Sequence, residues 1–404
     1  MQIVIIGGGA AGFFGAINTA IRFPECNVLI LEKSDKVLAK VRVSGGGRCN
    51  VTHACFQNNE LVKNYPRGEK QLLSVFSRFT VEDVIKWFEE RKVKLKTEAD
   101  GRMFPVSNNS MTIVNCFLDE VARLGIKLRT GCSVKGIKRT GTSFEIMIAN
   151  NEKIIADRIL IATGGNSKEG SYEWLKALGH TIISPVPSLF TFNSTEKKIR
   201  ELMGLSVDMA MISIKGSKFE NCGPLLITHW GFSGPAVLKL SSLAARYLND
   251  KKYEFDIELN WLGNEFSSKI PEIIKELKLS AGSKTVHSSG RFDLPNRLWK
   301  YLADRAGINE KLNWADLTND KIESLKKILA RDVYSVSGKT TYKEEFVTCG
   351  GIASDEVDFR TMESRKIKGL FFSGEVLDID GITGGFNFQS AWSTAMVASG
   401  CIGL

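Results

Sequence analysis

The stretch QIVIIGGGAAGFFGAINTAI, residues 2–21, decides the fold of this chain. Its β-branched beginning predicts the first strand of a parallel sheet, and its second half predicts a helix. Gly7, Gly9 and Gly12 have the spacing of a dinucleotide-binding turn, in which the phosphates lie at the positive end of the helix. We therefore predict a Rossmann-like nucleotide-binding domain. Its first cofactor contacts are Gly7, Gly9, Ala10, Ala11 and Gly12.

A second predicted strand ends in an acidic residue. NVLILE, residues 27–32, is apolar as far as Glu32. This glutamate stands about 20 residues after Gly12, where a carboxylate binds the adenosine ribose in such domains. The sequence therefore predicts that Glu32 contacts the cofactor, and Lys33 beside it is included in the predicted site.

A second glycine cluster follows in VSGGGRCN, residues 43–50. Glycine is costly in backbone entropy, so two clusters so close together need a reason. An extended FAD supplies one, because its flavin ring lies beyond the adenosine end and a second bare loop can direct backbone N–H groups at it. A flexible surface loop is the alternative. The predicted cofactor contacts here are Lys40, Ser44, Gly45, Gly46, Gly47, Arg48, Cys49 and Asn50.

Two later segments are predicted to return to the cofactor. A β-meander leads to a strand that ends in small residues, which let a ribose or phosphate pass close by. Near the C-terminus, GLFFSGE is read as a last parallel strand, and GITGGFNFQSAW turns into a helix whose N-terminal amides face the flavin ring. The predicted contacts are Val134, Ala162, Thr163, Gly164, Gly374, Glu375, Gly384, Gly385, Phe386 and Asn387.

The middle of the chain has a different character. From about residue 185 short strands alternate with Gly and Asn turns, which predicts a small barrel or sandwich, and helical patterns follow. We predict an α/β fold with a discontinuous FAD-binding domain, residues 1–186 and 345–404. The insert at 187–344 is β-rich and carries a helical subdomain at about 265–331. It contains no further glycine fingerprint, so a dedicated NAD(P) domain is not expected.

Four motifs resemble one group of two-dinucleotide-fold flavoproteins: VSGGGRCN, GRMFPVSN, THWGFSGPA and GEVLDIDGITGGFNFQSAW. The group comprises bacterial FAD-dependent oxidoreductases of the aminoacetone-oxidase-like or bile-acid-dehydroxylation type. The resemblance covers essentially the whole chain and implies a β-rich insert with a helical subdomain. The family usually has a GRKLLVSGGGRCN-like run, whereas Leu38 and Ala39 replace its Gly-Arg here. We therefore transfer no role to Arg42.

The catalytic residues are not assigned by the sequence. His229, in THWGFSGPA, is a candidate, since histidine exchanges protons near neutral pH. The alternative is a structural turn with Trp230 and Phe232 packed inward. The chain has four histidines and no C-x-x-C pair, so we predict no metal site.

The predicted activity is hydride transfer between bound, non-covalent FAD and a small organic substrate, with NAD(P)H as a possible transient reductant. The net charge of +9 motivates one alternative, an RNA-modifying flavoprotein. Basic and acidic residues are interleaved, however, so nucleic acid is not the favoured partner. A non-enzymatic flavin-binding redox protein is the other alternative. The chain shows no apolar run of membrane-spanning length and no signal-peptide pattern, which predicts a cytoplasmic protein of undetermined oligomeric state.

Overall fold

The computed structural model describes residues 1–149, 151–166, 168–263, 268–290, 292–340 and 347–404. The chain divides into two compact units. The first unit is Met1–Pro187 with Lys343–Leu404, and the second unit is Ser188–Tyr342. The predicted domain bound after residue 344 and the predicted start of the helical subdomain at 265 lie outside the described residues, so those bounds stay predictions.

The described strands are, in chain order, β1 (Gln2–Ile6), β2 (Asn27–Leu31), β3 (Thr52–His53), β4 (Leu95–Thr97), β5 (Arg102–Pro105), β6 (Lys127–Arg129), β7 (Val134–Thr140), β8 (Ser143–Ile148), β9 (Lys153–Ala156), β10 (Arg158–Ile161), β11 (Ile182–Ser188), β12 (Thr191–Ser194), β13 (Ser206–Ile214), β14 (Glu220–Ile227), β15 (Gly231–Ser233), β16 (Glu254–Asn260), β17 (Asp332–Thr340), β18 (Val347–Ile352), β19 (Val357–Asp358), β20 (Glu363–Ser364) and β21 (Leu370–Phe372).

The described helices are α1 (Ala10–Arg22), α2 (Ala39–Gly47), α3 (Asn58–Leu61), α4 (Glu69–Phe76), α5 (Val81–Glu89), α6 (Met111–Arg123), α7 (Glu173–Ala177), α8 (Lys197–Arg200), α9 (Pro235–Leu243), α10 (Ala245–Asp250), α11 (Ile270–Ser280), α12 (Asn296–Arg305), α13 (Asn319–Arg331) and α14 (Phe386–Cys401).

The first unit is built on a seven-stranded sheet with the order β19-β20-β21-β10-β1-β2-β6. Strand β1 lies inside this sheet and runs parallel to both neighbours, with Ile5 opposite Ile30 on β2 and Leu160 on β10. These three residues are fully buried, as expected of parallel strands that are covered on both faces. The predicted first strand, second strand and last parallel strand are therefore all present, and the Rossmann-type α/β fold is confirmed.

The second unit contains a closed six-stranded barrel with the order β12-β15-β14-β13-β16-β17. The predicted β-rich insert is therefore confirmed, and the barrel is the form that it takes. Helices α11, α12 and α13 follow the predicted helical patterns, and the rings of Trp299 and Trp314 stack there with centroids 6.3 Å apart.

One segment of the insert was read wrongly from the sequence. The strand-rich pattern from about residue 185 predicts strand for residues 235–243 as well, but these residues follow β15 and form α9. Proline at the first helical position is favourable, and Ala236, Val237 and Leu240 are the buried face of the helix. The helix is only nine residues long, and its apolar positions 236, 237, 238 and 240 fit a strand as well as a helix, so the period does not separate the two.

A buried ion pair joins the barrel to the helices of the second unit. The carboxylate of Asp332, on β17, is fully buried and accepts hydrogen bonds from Tyr334 (2.5 Å), Trp261 (3.1 Å) and Arg305 of α12 (2.8 Å). The same guanidinium donates to Glu196 at 2.7 Å, but both partners of that second pair are partly exposed. Arg305 therefore balances a carboxylate that has no access to water.

No helix within the described ranges is long and apolar enough to cross a bilayer. The same residues contain no group of three or more His, Cys, Asp or Glu side chains that could hold a metal ion.

We expect Arg305→Met to lower the free energy of unfolding of the second unit by about 3 kcal/mol, because it leaves the buried Asp332 carboxylate without its counter-ion. Glu196→Gln is the matched control and should cost about 1 kcal/mol or less, since that pair is partly exposed. Urea unfolding followed by tryptophan fluorescence measures both. Equal losses from the two substitutions would contradict the importance of the buried pair.

Candidate active site

The glycine turn after β1 is closed by backbone contacts that leave no room for side chains. A Cβ placed on Gly7, whose φ is +119°, would lie 2.3 Å from the carbonyl oxygen of Ala162. A Cβ on Gly12 would lie 1.8 Å from the carbonyl oxygen of Gly7. At Gly9, beyond its chain neighbours, a Cβ would meet no atom of the described residues within 4 Å. The space in front of the N-terminus of α1 is therefore open.

Glu32 lies at the end of β2, beside this turn. Its carboxylate accepts the backbone N–H of Gly8 at 2.7 Å, and the N–H and hydroxyl of Ser34 at 2.9 and 2.7 Å. Its carbonyl accepts the N–H of Cys132 at 2.8 Å, which brings the segment leading to Val134 to the same place, while Lys33 is exposed. Glu32 and Val134 thus lie near one end of the glycine turn.

The second glycine cluster forms a left-handed turn at the end of α2. Gly45, Gly46 and Gly47 have φ values of +58°, +69° and +83°, a region that residues with a Cβ rarely adopt. The N–H of Cys49 closes the turn on the carbonyl of Ser44 at 3.0 Å. A Cβ on Gly46 or Gly47 would meet nothing within 4 Å among the described atoms. The three glycines are therefore required by the backbone, and two of them face open space.

Arg48 is held by the protein. Its guanidinium donates to Glu98 at 2.6 Å and to the carbonyl of Gly45 at 3.3 Å, and it lies 3.9 Å over the ring of Phe104. It therefore supports the turn from the hairpin of β4 and β5. Its predicted contact with a cofactor stays a prediction.

Cys49 is fully buried, and burial raises the pKa of its thiol to about 12. The sulfur therefore stays protonated near neutral pH, where a nucleophile would need a thiolate. This position suits packing within the turn.

The two segments that are predicted to lie beside the flavin ring, the second glycine cluster and the start of α14, are in contact. A Cβ on Gly385, directly before α14, would lie 2.5 Å from the carbonyl oxygen of Thr52 and 2.9 Å from Oδ1 of Asn50. The hydroxyl of Thr52 donates to Gln389 at 2.5 Å, and the indole of Trp392 donates to the carbonyl of Val51 at 2.9 Å. The end of the second glycine cluster is thus fixed against the start of α14.

Phe386 and Asn387 shape this junction. The buried Phe386 ring stacks on His53 with centroids 4.6 Å apart, and its carbonyl accepts the hydroxyl of Tyr65 at 2.6 Å. The amide of Asn387 exchanges two hydrogen bonds of 2.9 Å with the backbone of Gly381.

Sequence reasoning missed His53, whose Nδ1 lies 3.0 Å from the carbonyl oxygen of Gly384. This histidine stands three residues after VSGGGRCN, so a longer reading of that motif would have included it.

The ends of β10 and β21 lie beside the first glycine turn. Together with both glycine turns and the start of α14 they form what we call the cofactor cleft. The N–H of Ala162 donates to Ile6 at 2.8 Å, and a Cβ on Gly374 would lie 2.9 Å from that of Ala11. Thr163 and Gly164 continue from Ala162. At Gly164, whose φ is +70°, a Cβ would meet nothing within 4 Å in the described part of the chain.

Lys40 and Glu375, both predicted as cofactor contacts, bind each other at 2.5 Å. The second oxygen of Glu375 accepts the N–H of Thr348 at 2.8 Å. Their charges are therefore balanced within the protein.

Two buried polar atoms in this cleft have no hydrogen-bond partner among the described residues. They are Oδ1 of Asn50 and Oγ1 of Thr348. A buried polar group without a partner costs free energy, so a ligand that supplies one is favoured here. With the open space before α1 and the start of α14, where Gly385 provides no side-chain cap, these atoms fit an extended FAD. Thr348 was missed because it lies in an apolar strand, β18.

His229 lies in the second unit, in the turn between β14 and β15. Thr228 and Gly231 exchange backbone hydrogen bonds of 2.7 and 3.1 Å across this turn. His229 is exposed, and so is Trp230, whereas Phe232 is buried. The alternative that both aromatic residues pack inward is thus wrong for Trp230. The catalytic role of His229 stays a prediction.

The chain is similar to known proteins over its whole length. A family model described as HI0933-like protein Rossmann domain matches residues 1–401. The chain is 26% identical over 405 residues to a 3-dehydro-bile acid delta(4,6)-reductase of Clostridium scindens, with 98% of each protein covered. It is 30% identical over 415 residues to a ribosomal RNA dihydrouridine synthase of Escherichia coli, with 97% of this chain and 95% of the relative covered.

Among solved structures, a 3-ketosteroid delta1-dehydrogenase from Sterolibacterium denitrificans shares the fold, with a TM-score of 0.52 at 10% identity and coverage of 99% and 98%. The chain therefore belongs to the HI0933-like Rossmann-domain family, and its predicted place among the FAD-dependent oxidoreductases is confirmed.

Proposed function

We propose that this protein reduces a carbon–carbon double bond conjugated to a carbonyl group. The observation that carries the proposal is full-length similarity to two relatives whose names describe this chemistry. A delta(4,6)-reductase of a 3-dehydro-bile acid saturates an enone, and dihydrouridine is uridine saturated beside its ring carbonyl. One reaction type thus accounts for both names.

The first candidate substrate is a uracil base in RNA. It is supported by the relative at 30% identity, whose name specifies ribosomal RNA. The second candidate is the predicted small organic substrate, an enone, and the bile-acid relative supports it. We propose the cytoplasm as the location of either reaction.

We propose that FAD binds without a covalent bond in the cleft of the first unit. The glycine turn and the N-terminus of α1 would hold the pyrophosphate, and Glu32 the adenosine ribose. Asn50, Thr348 and the amides at the start of α14 would bind the flavin and its ribityl chain. Partial positive charge at that helix end stabilises negative charge on a reduced flavin.

The reaction needs a hydride, a proton and a reductant. When bound and reduced, the flavin would supply the hydride to the carbon β to the carbonyl, and a proton from an acid or water would complete the α carbon. NAD(P)H is the proposed source of the electron pair. Since the insert has no second glycine fingerprint, the nicotinamide would bind transiently.

Gly9→Val should reduce FAD affinity by about 1–3 kcal/mol, because its side chain would fill the space in front of α1. Gly136→Val is the matched control, since a Cβ there also meets open space but lies on β7. The measurement is FAD content after dialysis, with circular dichroism to check the fold. FAD retained by Gly9→Val at the wild-type level would contradict the proposed phosphate site.

Thr348→Val should weaken FAD binding by about 1 kcal/mol, roughly fivefold, through the loss of one hydrogen bond. The apoprotein should melt at the same or a higher temperature, because the substitution removes a buried hydroxyl that has no partner there. Thr394→Val is the control. Its hydroxyl accepts the N–H of Gly374 at 3.0 Å, so the apoprotein should lose stability. Equal destabilisation of both apoproteins would show that Thr348 has a structural role only.

The substrate is tested by anaerobic reduction with NADPH followed by addition of unmodified ribosomal RNA or a 4-en-3-one steroid. We expect RNA to reoxidise the flavin and to yield uridine with two added hydrogen atoms by mass spectrometry. Reoxidation by the steroid alone would identify the second candidate and exclude the first. Reoxidation by neither would contradict the proposed reaction.

A further inference from the structure

The second unit exposes an aromatic pair in a turn that is hydrogen-bonded to Ser194, shortly before two exposed lysines. The ring centroids of His229 and Trp230 lie 4.7 Å apart, and 44% of Trp230 is accessible to solvent. We call the following residues the aromatic–basic patch: Lys197, Lys198, Met203, Leu226, His229 and Trp230. Met203, 60% exposed, and Leu226 provide its apolar area.

The backbone holds the aromatic pair in place. The carbonyl of Trp230 accepts the N–H of Ser194 at 2.9 Å, and its N–H donates to the hydroxyl of Thr228 at 3.3 Å. The turn is therefore anchored to the end of β12. The N–H of Gly204 donates to the carbonyl of Ile227 at 2.9 Å, which brings the Met203 segment to the same end of the barrel. The backbone that carries the two rings is therefore held by hydrogen bonds on both sides.

The charge at this end is positive. Lys197 and Lys198 begin α8 shortly after Ser194, and both are exposed. The neighbouring Glu196 is paired with Arg305 at 2.7 Å, so its charge is balanced. Glu201 lies in the same segment, and Arg297 donates to its carbonyl at 2.8 Å, which adds a cation there. Phosphate groups would therefore be attracted to this end of the barrel.

We propose that single-stranded RNA docks on the aromatic–basic patch, with a base stacked on Trp230 and His229 and phosphates beside Lys197 and Lys198. Proteins that bind single strands combine aromatic rings, on which bases stack, with cations that follow the backbone. Met203 and Leu226 extend the apolar surface under the base. The inference rests on RNA as the proposed substrate, and it assigns this part of the insert to substrate capture.

The test measures binding of a fluorescein-labelled, uridine-rich single strand of about 12 nucleotides to the FAD-loaded full chain by anisotropy. Trp230→Ala should weaken binding about tenfold, whereas Trp230→Phe, which keeps a stacking ring, should stay within about threefold of wild type. Leu279→Ala is the control for removal of an exposed apolar side chain, since Leu279 is 81% exposed on α11, and it should have no effect. FAD content is measured for each variant to establish that the first unit is intact.

The lysines are tested through salt dependence. Lys197→Glu with Lys198→Glu should reduce the slope of log affinity against log salt by about 1.4, the contribution of two single-strand phosphate contacts. The proposal would be overturned if the double lysine variant kept the wild-type salt slope and Trp230→Ala kept the wild-type affinity for the strand. Absence of RNA binding by the wild type would also overturn it, as would Trp230→Ala dissociating a dimer without changing RNA affinity.

Binding and chemistry are separable in this design. If the wild type binds the strand through the patch but forms no dihydrouridine, the docking inference stands and the proposed reaction fails. If it forms dihydrouridine while the patch variants bind normally, the reaction stands and the docking inference fails.

Discussion

Hydrogen bonds from the buried face of α14 hold the first unit together. Gln389 and Trp392 bind the segment after the second glycine cluster. Ser393 donates to the carbonyl of Phe79 at 2.8 Å, and Thr394 accepts the N–H of Gly374 at 3.0 Å. These bonds join one helix to three distant segments of the chain, and each of them is buried. Hydrogen bonds shielded from water are electrostatically stronger, so α14 fixes the segment after the second glycine cluster, the segment at Phe79 and the end of β21.

Apart from the Glu32 carboxylate, the cleft offers a ligand backbone groups and neutral oxygens. Arg48 is paired with Glu98, and Lys40 with Glu375, so their charges are balanced within the protein. The backbone at Gly9 and Gly46 borders open space. These ion pairs maintain the geometry of glycine-rich loops. This is consistent with a cofactor whose phosphates bind to helix N-termini.

Sequence reasoning worked best where one residue type is required by the backbone. Gly7 and Gly12 admit no Cβ because backbone atoms lie against them. The spacing of the glycines alone therefore predicted the turn, without knowledge of the segments that they contact. The barrel was predictable because its strands are separated by turn residues. The role of Arg48 depends on Glu98, a partner far away in the chain that no local pattern reveals. Thr348, whose hydroxyl has no partner among the described residues, was hidden in an apolar strand. Helix α9 was missed for another reason, since its nine residues are too few for the apolar period to distinguish a helix from a strand.

The hydrogen bonds that α14 makes to earlier segments affect the order in which the protein can fold during synthesis. The second unit is one continuous segment, Ser188–Tyr342, and all of it leaves the ribosome before α14 is made. Domains generally fold as units as they emerge. The inserted unit is therefore the part able to fold first, whereas the N-terminal strands and glycine loops must wait until the final helix supplies its hydrogen bonds. In the growing chain, the barrel can therefore be complete before the cofactor site is formed.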